Sequence, residues 1–184
     1  SLIAVHQLKT KPGSTIIYNL ISSKAVSEVI AENGGIGVRS RVGHSYIKSL
    51  MAESGAIFGG EHSGHFYFSN FWRADSGMLA ALYALTELMA TKNTLSELLK
   101  PFNRYVASGE INSKVKDAEK SIELIRKKYC DKYLVDELDG LTITADNWWF
   151  NLRPSNTEPL LRLNVEADTE KEMVKIRDTV LSLI

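Results

Sequence analysis

The chain has 184 residues, of which 44% are hydrophobic and 24% are charged, as is usual for a globular protein. Lys and Arg together number 22, and so do Asp and Glu, so the formal net charge at pH 7 is zero. This balance disfavours a general nucleic-acid binder, which usually carries a basic excess. Any anion site must therefore be built locally, from a few well-placed groups.

Cysteine usage and hydropathy indicate the compartment. Cys130 is the single cysteine, so no internal disulfide can form and we expect a cytoplasmic protein. Although basic residues precede Cys130, no catalytic partner is near it in the sequence, and we interpret it as structural or incidental.

No apolar run approaches the roughly 20 residues that span a membrane, so no membrane association is expected. Residues 1–8 have the pattern of a helix tail without an initiator Met, which predicts a piece of a longer protein.

The first half of the chain alternates strand and helix patterns. An apolar run over residues 15–20 predicts a buried strand, and Asn33-Gly34-Gly35 ends a helix predicted over 23–32. Further strands are predicted at 36–40 and 56–58, and further helices at 45–54, from the cap Asp75 onward, and from Thr94. This order predicts an α/β class protein whose first domain, residues 1–108, is a layered α/β domain with a mixed sheet.

The pattern changes after Ser108-Gly109, which we interpret as a domain boundary. Strands are predicted at 111–115, 141–145, 148–152 and 160–166, and helices at 117–129 and from Asp168 onward. Residues 109–184 therefore predict a small α+β domain with one antiparallel sheet and two helices. The aromatic run Trp148-Trp149-Phe150 is interpreted as core.

A loop rich in hydrogen-bond donors, Arg153-Pro154-Ser155-Asn156-Thr157-Glu158-Pro159, separates two of these strands. Successive backbone N–H groups in a tight turn can form an anion-binding nest, to which Ser, Asn and Thr side chains add donors. Arg153 adds a planar, permanently charged fork that matches phosphate. The pattern is typical of an anion site, and a plain hairpin turn is the alternative.

A second polar loop is the segment Gly59-Gly60-Glu61-His62-Ser63-Gly64-His65. If it is extended, Glu61, Ser63 and His65 point the same way and present a carboxylate, a hydroxyl and an imidazole. Such a set suits vicinal sugar hydroxyls, which need both donors and acceptors. The alternatives are an unspecialised polar loop, or a metal site from His62 and His65, which the lack of further clustered His or Cys ligands disfavours.

The segment 39–45 lies between a predicted strand and a predicted helix, a position that attracts anions because the helix presents free N–H groups. His44 could act there as a general acid or base. The alternative is that Ser45 simply caps the helix and His44 is exposed.

Taken together, these three loops resemble those of the α-D-phosphohexomutase superfamily. The segment 59–65 resembles its sugar-binding loop, 153–159 its phosphate-binding loop, and Arg41-Val42-Gly43-His44-Ser45 a third segment. The resemblance covers essentially the whole chain and implies the third domain, truncated at its N-terminus, and the fourth. Within the superfamily the pattern is most similar to the phosphomannomutase and phosphomannomutase/phosphoglucomutase members, with Asn156 as the distinguishing residue.

The resemblance implies an intramolecular phosphotransferase that interconverts hexose 6-phosphate and hexose 1-phosphate, of mannose or glucose, through a phosphoserine and a bisphosphate intermediate. It implies that Arg153, Ser155, Asn156 and Thr157 hold the phosphate that does not react. It further implies that Glu61, Ser63 and His65 hold sugar hydroxyls, and that His44 lies near the transferring group and assists proton transfer.

The resemblance also implies what this chain lacks. The superfamily's serine loop and its metal loop of closely spaced Asp residues have no counterpart in the sequence. Mg²⁺ is therefore expected outside this chain, no metal is expected within it, and the isolated piece is expected to be inactive without its N-terminal domains. The alternatives are a stand-alone sugar-phosphate-binding module, a piece of a phosphoglucosamine mutase, and a nucleic-acid-binding domain, which the neutral charge disfavours.

Overall fold

The computed structural model describes residues 1–155 and 158–184. The chain forms two compact units, Ser1–Arg104 and Tyr105–Ile184. The boundary predicted at Ser108-Gly109 falls inside a strand of the second unit, β6 (Val106–Lys114). These two residues oppose a single residue of the neighbouring strand, with Gly109 at φ 70°, and so form a β-bulge. Turn-type residues interrupt the register here without ending the strand.

The first unit is built on a mixed sheet with the strand order β2-β1-β3-β4-β5, in which β1 is parallel to β2 and β3 while β4 is antiparallel to β3 and β5. Its strands are β1 (Thr15–Asn19), β2 (Ile36–Ser40), β3 (Phe58–Gly60), β4 (Phe66–Phe68) and β5 (Ala74–Asp75). Its helices are α1 (Leu2–Thr10), α2 (Lys24–Glu32), α3 (His44–Ser54), α4 (Gly77–Met89) and α5 (Leu95–Leu99).

Helices cover both faces of this sheet. On one face Ile16 and Phe58 pack with residues of α1, α2 and α4, and on the other Ile17 packs with Ile47 and Met51 of α3. The layered α/β domain with a mixed sheet is therefore confirmed. The parallel strands put their carboxyl ends at one edge, so the loops after β1, β2 and β3 emerge together.

The strand predicted at 56–58 instead spans Phe58–Gly60, because the glycines that suggested a loop belong to the strand. A Cβ on Gly59 would lie 2.9 Å from Ile47 Cγ2 and 3.2 Å from Met51 Sδ, so the close packing of α3 requires glycine here. The helix cap predicted at Asp75 is also wrong: the side chain of Ser76 accepts the capping bond from the N–H of Leu79.

The apolar stripe of α4 does not face the core. Met78, Leu82, Leu85 and Met89 recur at helical spacing, yet they are between 52% and 85% exposed. The helix contacts the sheet and α1 through Ala80 and its partly buried neighbours Leu79 and Tyr83. Helical periodicity thus identified the helix but not the face that packs within this chain.

The second unit is an antiparallel sheet with the strand order β6-β10-β9-β8-β7, and its two helices pack on one face. The remaining strands are β7 (Leu134–Asp136), β8 (Leu141–Thr144), β9 (Trp148–Pro154) and β10 (Leu160–Ala167), and the helices are α6 (Ala118–Tyr129) and α7 (Glu170–Leu181). The predicted α+β domain is confirmed, and so is the burial of Trp148, Trp149 and Phe150, which are at most 9% exposed.

Candidate functional site

The loop between β3 and β4 is a tight turn rather than an extended segment. The N–H of Glu61 donates to the carbonyl of His65 at 2.9 Å, and the N–H of Gly64 donates to the carbonyl of Glu61 at 3.1 Å. The extended conformation that would put Glu61, Ser63 and His65 on one face is therefore not adopted, and their assignment as sugar ligands stays a prediction. Gly64, at φ 85°, allows the chain to reverse. Glu61 points inward, while Ser63 is exposed at the turn.

Glu61 is the buried centre of a hydrogen-bond network and is only 7% exposed. Its Oε1 accepts a 2.6 Å bond from the hydroxyl of Tyr67 in β4. Its Oε2 accepts from the N–H of Gly43 at 3.2 Å and from Nδ2 of Asn19 at 3.4 Å. Since Asn19 ends β1 and Gly43 precedes α3, the carboxylate ties together three loops at the carboxyl ends of the parallel strands.

Tyr67 links this network to the imidazole of His44. The phenol is fully buried, and burial together with the bond to Glu61 raises the pKa of Tyr67 well above its usual value. It therefore stays protonated and donates its proton to Glu61. His44 begins α3 directly after Gly43, so Ser45 is not the N-cap, and Nδ1 of the exposed His44 lies 2.8 Å from the Tyr67 hydroxyl.

The side chain of His65 is held by Asp75, which was predicted to cap a helix. Its Nδ1 lies 2.7 Å from Oδ2 of Asp75, while Oδ1 of Asp75 accepts the N–H of Phe66 at 2.8 Å. Burial acts to raise the pKa of Asp75, but these hydrogen bonds outweigh it, so the pKa lies below its usual range. The rings of His65 and His44 are in edge contact, with centroids 4.3 Å apart.

The backbone that returns Asp75 to His65 is strained. Trp72 and Arg73 both have φ 54°, in the left-handed region that L residues seldom occupy. Such a conformation costs about 1–2 kcal/mol per residue. Strain of this kind is concentrated at functional sites, where the surrounding contacts must offset it.

Mg²⁺ does not fit the residues described in this unit. In the chain outside positions 156 and 157, one group of potential metal ligands was found, His44 with His65 and Asp75. Mg²⁺ requires an octahedral shell of oxygen ligands, whereas this group offers two imidazoles and one carboxylate. The donor chemistry of this group therefore does not match Mg²⁺.

The predicted anion loop begins within β9 of the second unit, because Arg153 and Pro154 are the last residues of that strand. Arg153 is 5% exposed and its Nη2 donates to Oε2 of Glu110 at 3.1 Å. Arg162 of β10 lies directly opposite Arg153 of β9. The Nη1 atom of Arg162 lies 3.4 Å from Oε1 of the same Glu110, and its Nη2 atom donates to Oγ of Ser155 at 3.2 Å. Asn156 and Thr157, which were predicted to complete this site, lie outside the described residues.

Two guanidinium groups thus share one carboxylate at the base of this loop. The Nε atoms of Arg153 and Arg162 are buried and find no hydrogen-bond partner among the residues that the structure describes. The second acidic neighbour, Glu158, lies 4.0 Å from Arg162 and is mostly exposed, so solvent screens its charge. The formal charges of the two arginines and two glutamates balance, but the exposed Glu158 offsets Arg162 only weakly, so the buried N–H groups could still bind an anion.

Four of the residues in these arrangements were missed in the sequence. Tyr67 belongs to an aromatic run that predicts core, and Asp75 stands where a helix cap is expected. Arg162 and Glu110 belong to weakly alternating strands, and only the pairing of β6, β10 and β9 brings them to Arg153.

Comparison with known families supports a common origin for both units. The family described as phosphoglucomutase/phosphomannomutase, alpha/beta/alpha domain III, matches residues 1–105, and phosphoglucomutase/phosphomannomutase, C-terminal domain, matches residues 110–183. None of the helices that the structure describes is long and apolar enough to cross a bilayer.

Individual relatives give the same result. The chain is 48% identical over 184 residues to a phosphomannomutase of Methanocaldococcus jannaschii and 40% identical over 187 residues to one of Escherichia coli K12. All of this chain aligns in both cases, but it spans only 41% of each relative's length. A phosphoglucomutase/phosphomannomutase family protein of Burkholderia thailandensis superposes with a TM-score of 0.85 at 29% identity, over 99% of this chain and 39% of that one.

Proposed function

Because the chain belongs to the phosphoglucomutase/phosphomannomutase family and comprises its third and C-terminal domains, we propose that it is the substrate-binding part of an enzyme that interconverts hexose 6-phosphate and hexose 1-phosphate. Since the chain spans 41% of its curated relatives, the phosphoserine and the Mg²⁺ site are assigned to the remainder of the protein. The reaction would run through a hexose bisphosphate, and the piece alone would be inactive. A cytoplasmic location rests on the single cysteine alone.

The observation that supports this proposal is the pair of guanidinium groups of Arg153 and Arg162 at the base of the loop, each with a buried N–H that has no described partner. A phosphate ester carries up to two negative charges and several acceptor oxygens. Arg153 and Arg162 have between them one well-placed carboxylate, Glu110, and each retains a buried N–H without a described partner. A phosphate at this loop would accept hydrogen bonds from both guanidinium groups. Further donors would come from Ser155, Asn156 and Thr157.

The first unit supplies the sugar-binding groups in this proposal. Glu61 is surrounded by donors from Tyr67, Gly43 and Asn19, so we assign it mainly the positioning of the turn, with its remaining acceptor capacity available to a hydroxyl. Ser63 and His65 are more accessible and are assigned direct contacts with sugar hydroxyls.

His44 and His65 are the candidate proton carriers. Each is hydrogen-bonded through Nδ1, to Tyr67 and Asp75 respectively, and such a contact fixes the orientation of the ring. The opposite nitrogen, Nε2, is then the atom that can take a proton from a hydroxyl attacking phosphorus and return it afterwards.

A mutase assay on the full-length protein with mannose, glucose and glucosamine phosphates side by side tests the proposal. We expect turnover with mannose or glucose phosphate, and no turnover from the 184-residue chain. Preference for glucosamine phosphate would favour the phosphoglucosamine mutase alternative. Absence of turnover with all three, together with tight hexose-phosphate binding by the isolated chain, would favour a stand-alone binding module.

A further inference from the structure

His44 and His65 form, with Asp75, a compact group of nitrogen and oxygen donors at the surface of the first unit. One potential ligand atom from each residue lies within 4.8 Å of the other two, and the two imidazole rings are in edge contact at 4.3 Å between centroids. His44 and Asp75 are exposed and His65 is partly buried, so an ion can reach the group from solvent.

The hydrogen bonds fix the tautomer of each neutral ring. The Asp75 carboxylate can only accept, so the proton of His65 must be on Nδ1, which lies 2.7 Å from Oδ2. The Tyr67 hydroxyl gives its single proton to Glu61, so it must accept from His44, whose proton is then also on Nδ1. Without an ion, both rings therefore carry an unprotonated Nε2. A shift of the His65 proton from Nδ1 to Nε2 would leave Nδ1, which faces Asp75, with a lone pair for an ion.

We propose that His44, His65 and Asp75 bind one divalent transition-metal ion, with Zn²⁺ as the best match. Neutral imidazoles with a carboxylate are a usual ligand set for Zn²⁺. The ion would replace the proton between Nδ1 of His65 and Oδ2 of Asp75, which already lie 2.7 Å apart, and would bind His44 through Nε2. Mg²⁺ would not compete, because it prefers oxygen ligands. The remaining coordination position would be open to water.

Small side-chain movements would complete this site. Zn–N distances of about 2.0–2.1 Å in tetrahedral geometry require ligand atoms roughly 3.3 Å apart. The observed limit of 4.8 Å is larger, so the exposed side chains of His44 and Asp75 must move closer on binding. His62 lies in the same turn as His65 but is not part of the group. The sequence alone had suggested a metal site from His62 and His65.

Occupation by zinc would block the sugar site, because it would engage the imidazoles of His44 and His65, to which we assign sugar contacts and proton transfer. This consequence rests on the proposed function, whereas binding of the ion itself does not. If both the zinc site and the proposed function are correct, zinc would inhibit the mutase. The inhibition would be competitive with hexose phosphate and would be relieved by a chelator.

Zinc titration of the 184-residue chain by calorimetry, without sugar and with excess Mg²⁺, tests the proposal. A Cys130→Ser background removes the free thiol as a competing ligand. We expect one ion per chain and an affinity at least about tenfold weaker in His44→Ala, His65→Ala and Asp75→Asn, since each substitution removes a direct ligand. His62→Ala is the matched control and should bind as the parent does.

Co²⁺ supplies a second readout, because its visible absorption reports nitrogen ligation independently of heat. Circular dichroism must show that each variant is folded, and His44→Gln and His65→Gln replace any alanine variant that is not. Absence of one-to-one binding would overturn the proposal. So would a loss of binding in His62→Ala equal to that in His65→Ala.

Discussion

The phenol of Tyr67 donates a 2.6 Å hydrogen bond to the carboxylate of Glu61, and both side chains are buried. Tyr67→Phe removes this donor and leaves a buried charge with fewer partners, so we expect the variant to lose roughly 1–3 kcal/mol of unfolding free energy. Tyr46→Phe is the matched control, because Tyr46 is 46% exposed, and it should stay within about 0.5 kcal/mol. Equal stabilities of the two variants in urea would show that the bond stabilises little.

Gly59 lets α3 lie close against β3. A Cβ at this position would meet Ile47 at 2.9 Å, so Gly59→Ala should destabilise the first unit by about 1–3 kcal/mol through overpacking. Gly77, in the first turn of α4, has no atom within 4 Å of its virtual Cβ. Gly77→Ala should therefore be neutral or stabilising by up to about 1 kcal/mol. Calorimetric melting would contradict this account if both substitutions changed the transition temperature alike.

Glu87 joins α4 to α1 through Lys9 and His6, each at 2.7 Å. The hydrogen bond from Lys9, with that from His6, outweighs burial and holds the pKa of Glu87 below its usual value. The stability that ionised Glu87 contributes is therefore fully present above its pKa in the unfolded chain, about 4.3. It is lost as the pH falls through the lower pKa of Glu87 in the folded protein.

Melting temperatures of the parent and Glu87→Gln, measured from pH 7 down to pH 2, test this linkage. The difference between them should be widest near pH 7 and should close at the acid end. The exposed Glu53 on α3 offers the control, since Glu53→Gln should follow the parent throughout. A difference for Glu87→Gln that is independent of pH would contradict the linkage.

Glu110 holds Arg153 and Arg162 together but also opposes the proposed anion. Glu110→Gln keeps the shape and removes the charge, so we expect opposite changes in two measured quantities. Unfolding free energy should fall by about 1–3 kcal/mol, because a buried guanidinium loses its charged partner. Affinity for inorganic phosphate should stay the same or rise, because repulsion is removed, and a parallel fall in both would mean that Glu110 only shapes the loop.

The sequence predicted most of the fold because the long elements have clear periodicity and caps. Asp117, for example, caps α6 as its position suggests, accepting from the N–H of Lys120. The short strands β4, β5 and β7 were missed because a strand of two or three residues has no readable alternation.

The candidate site was predicted less completely, because its geometry depends on pairings between distant segments. The sequence placed Glu61 and His65 on one loop. That loop was considered as an extended segment, whereas the structure has a tight turn. The contact between His65 and Asp75 requires β4 to pair with β5, across a bend made by two non-glycine residues with positive φ. Neither the pairing nor that bend has a signature in the residue types.

The central claim is that Arg153 holds the phosphate of the substrate, and kcat/KM of the full-length Arg153→Ala mutase tests it most directly. Loss of a charge-assisted hydrogen bond that contributes about 3 kcal/mol predicts that kcat/KM falls on the order of a hundredfold. Arg153→Lys keeps the charge but not the planar fork, so its kcat/KM should lie between those of the parent and Arg153→Ala. Arg177→Ala should match the parent, because Arg177 is a partly buried residue of α7 that pairs with Asp178. With folding verified, a hundredfold loss confined to Arg153 supports the account, and a change below about threefold would contradict it.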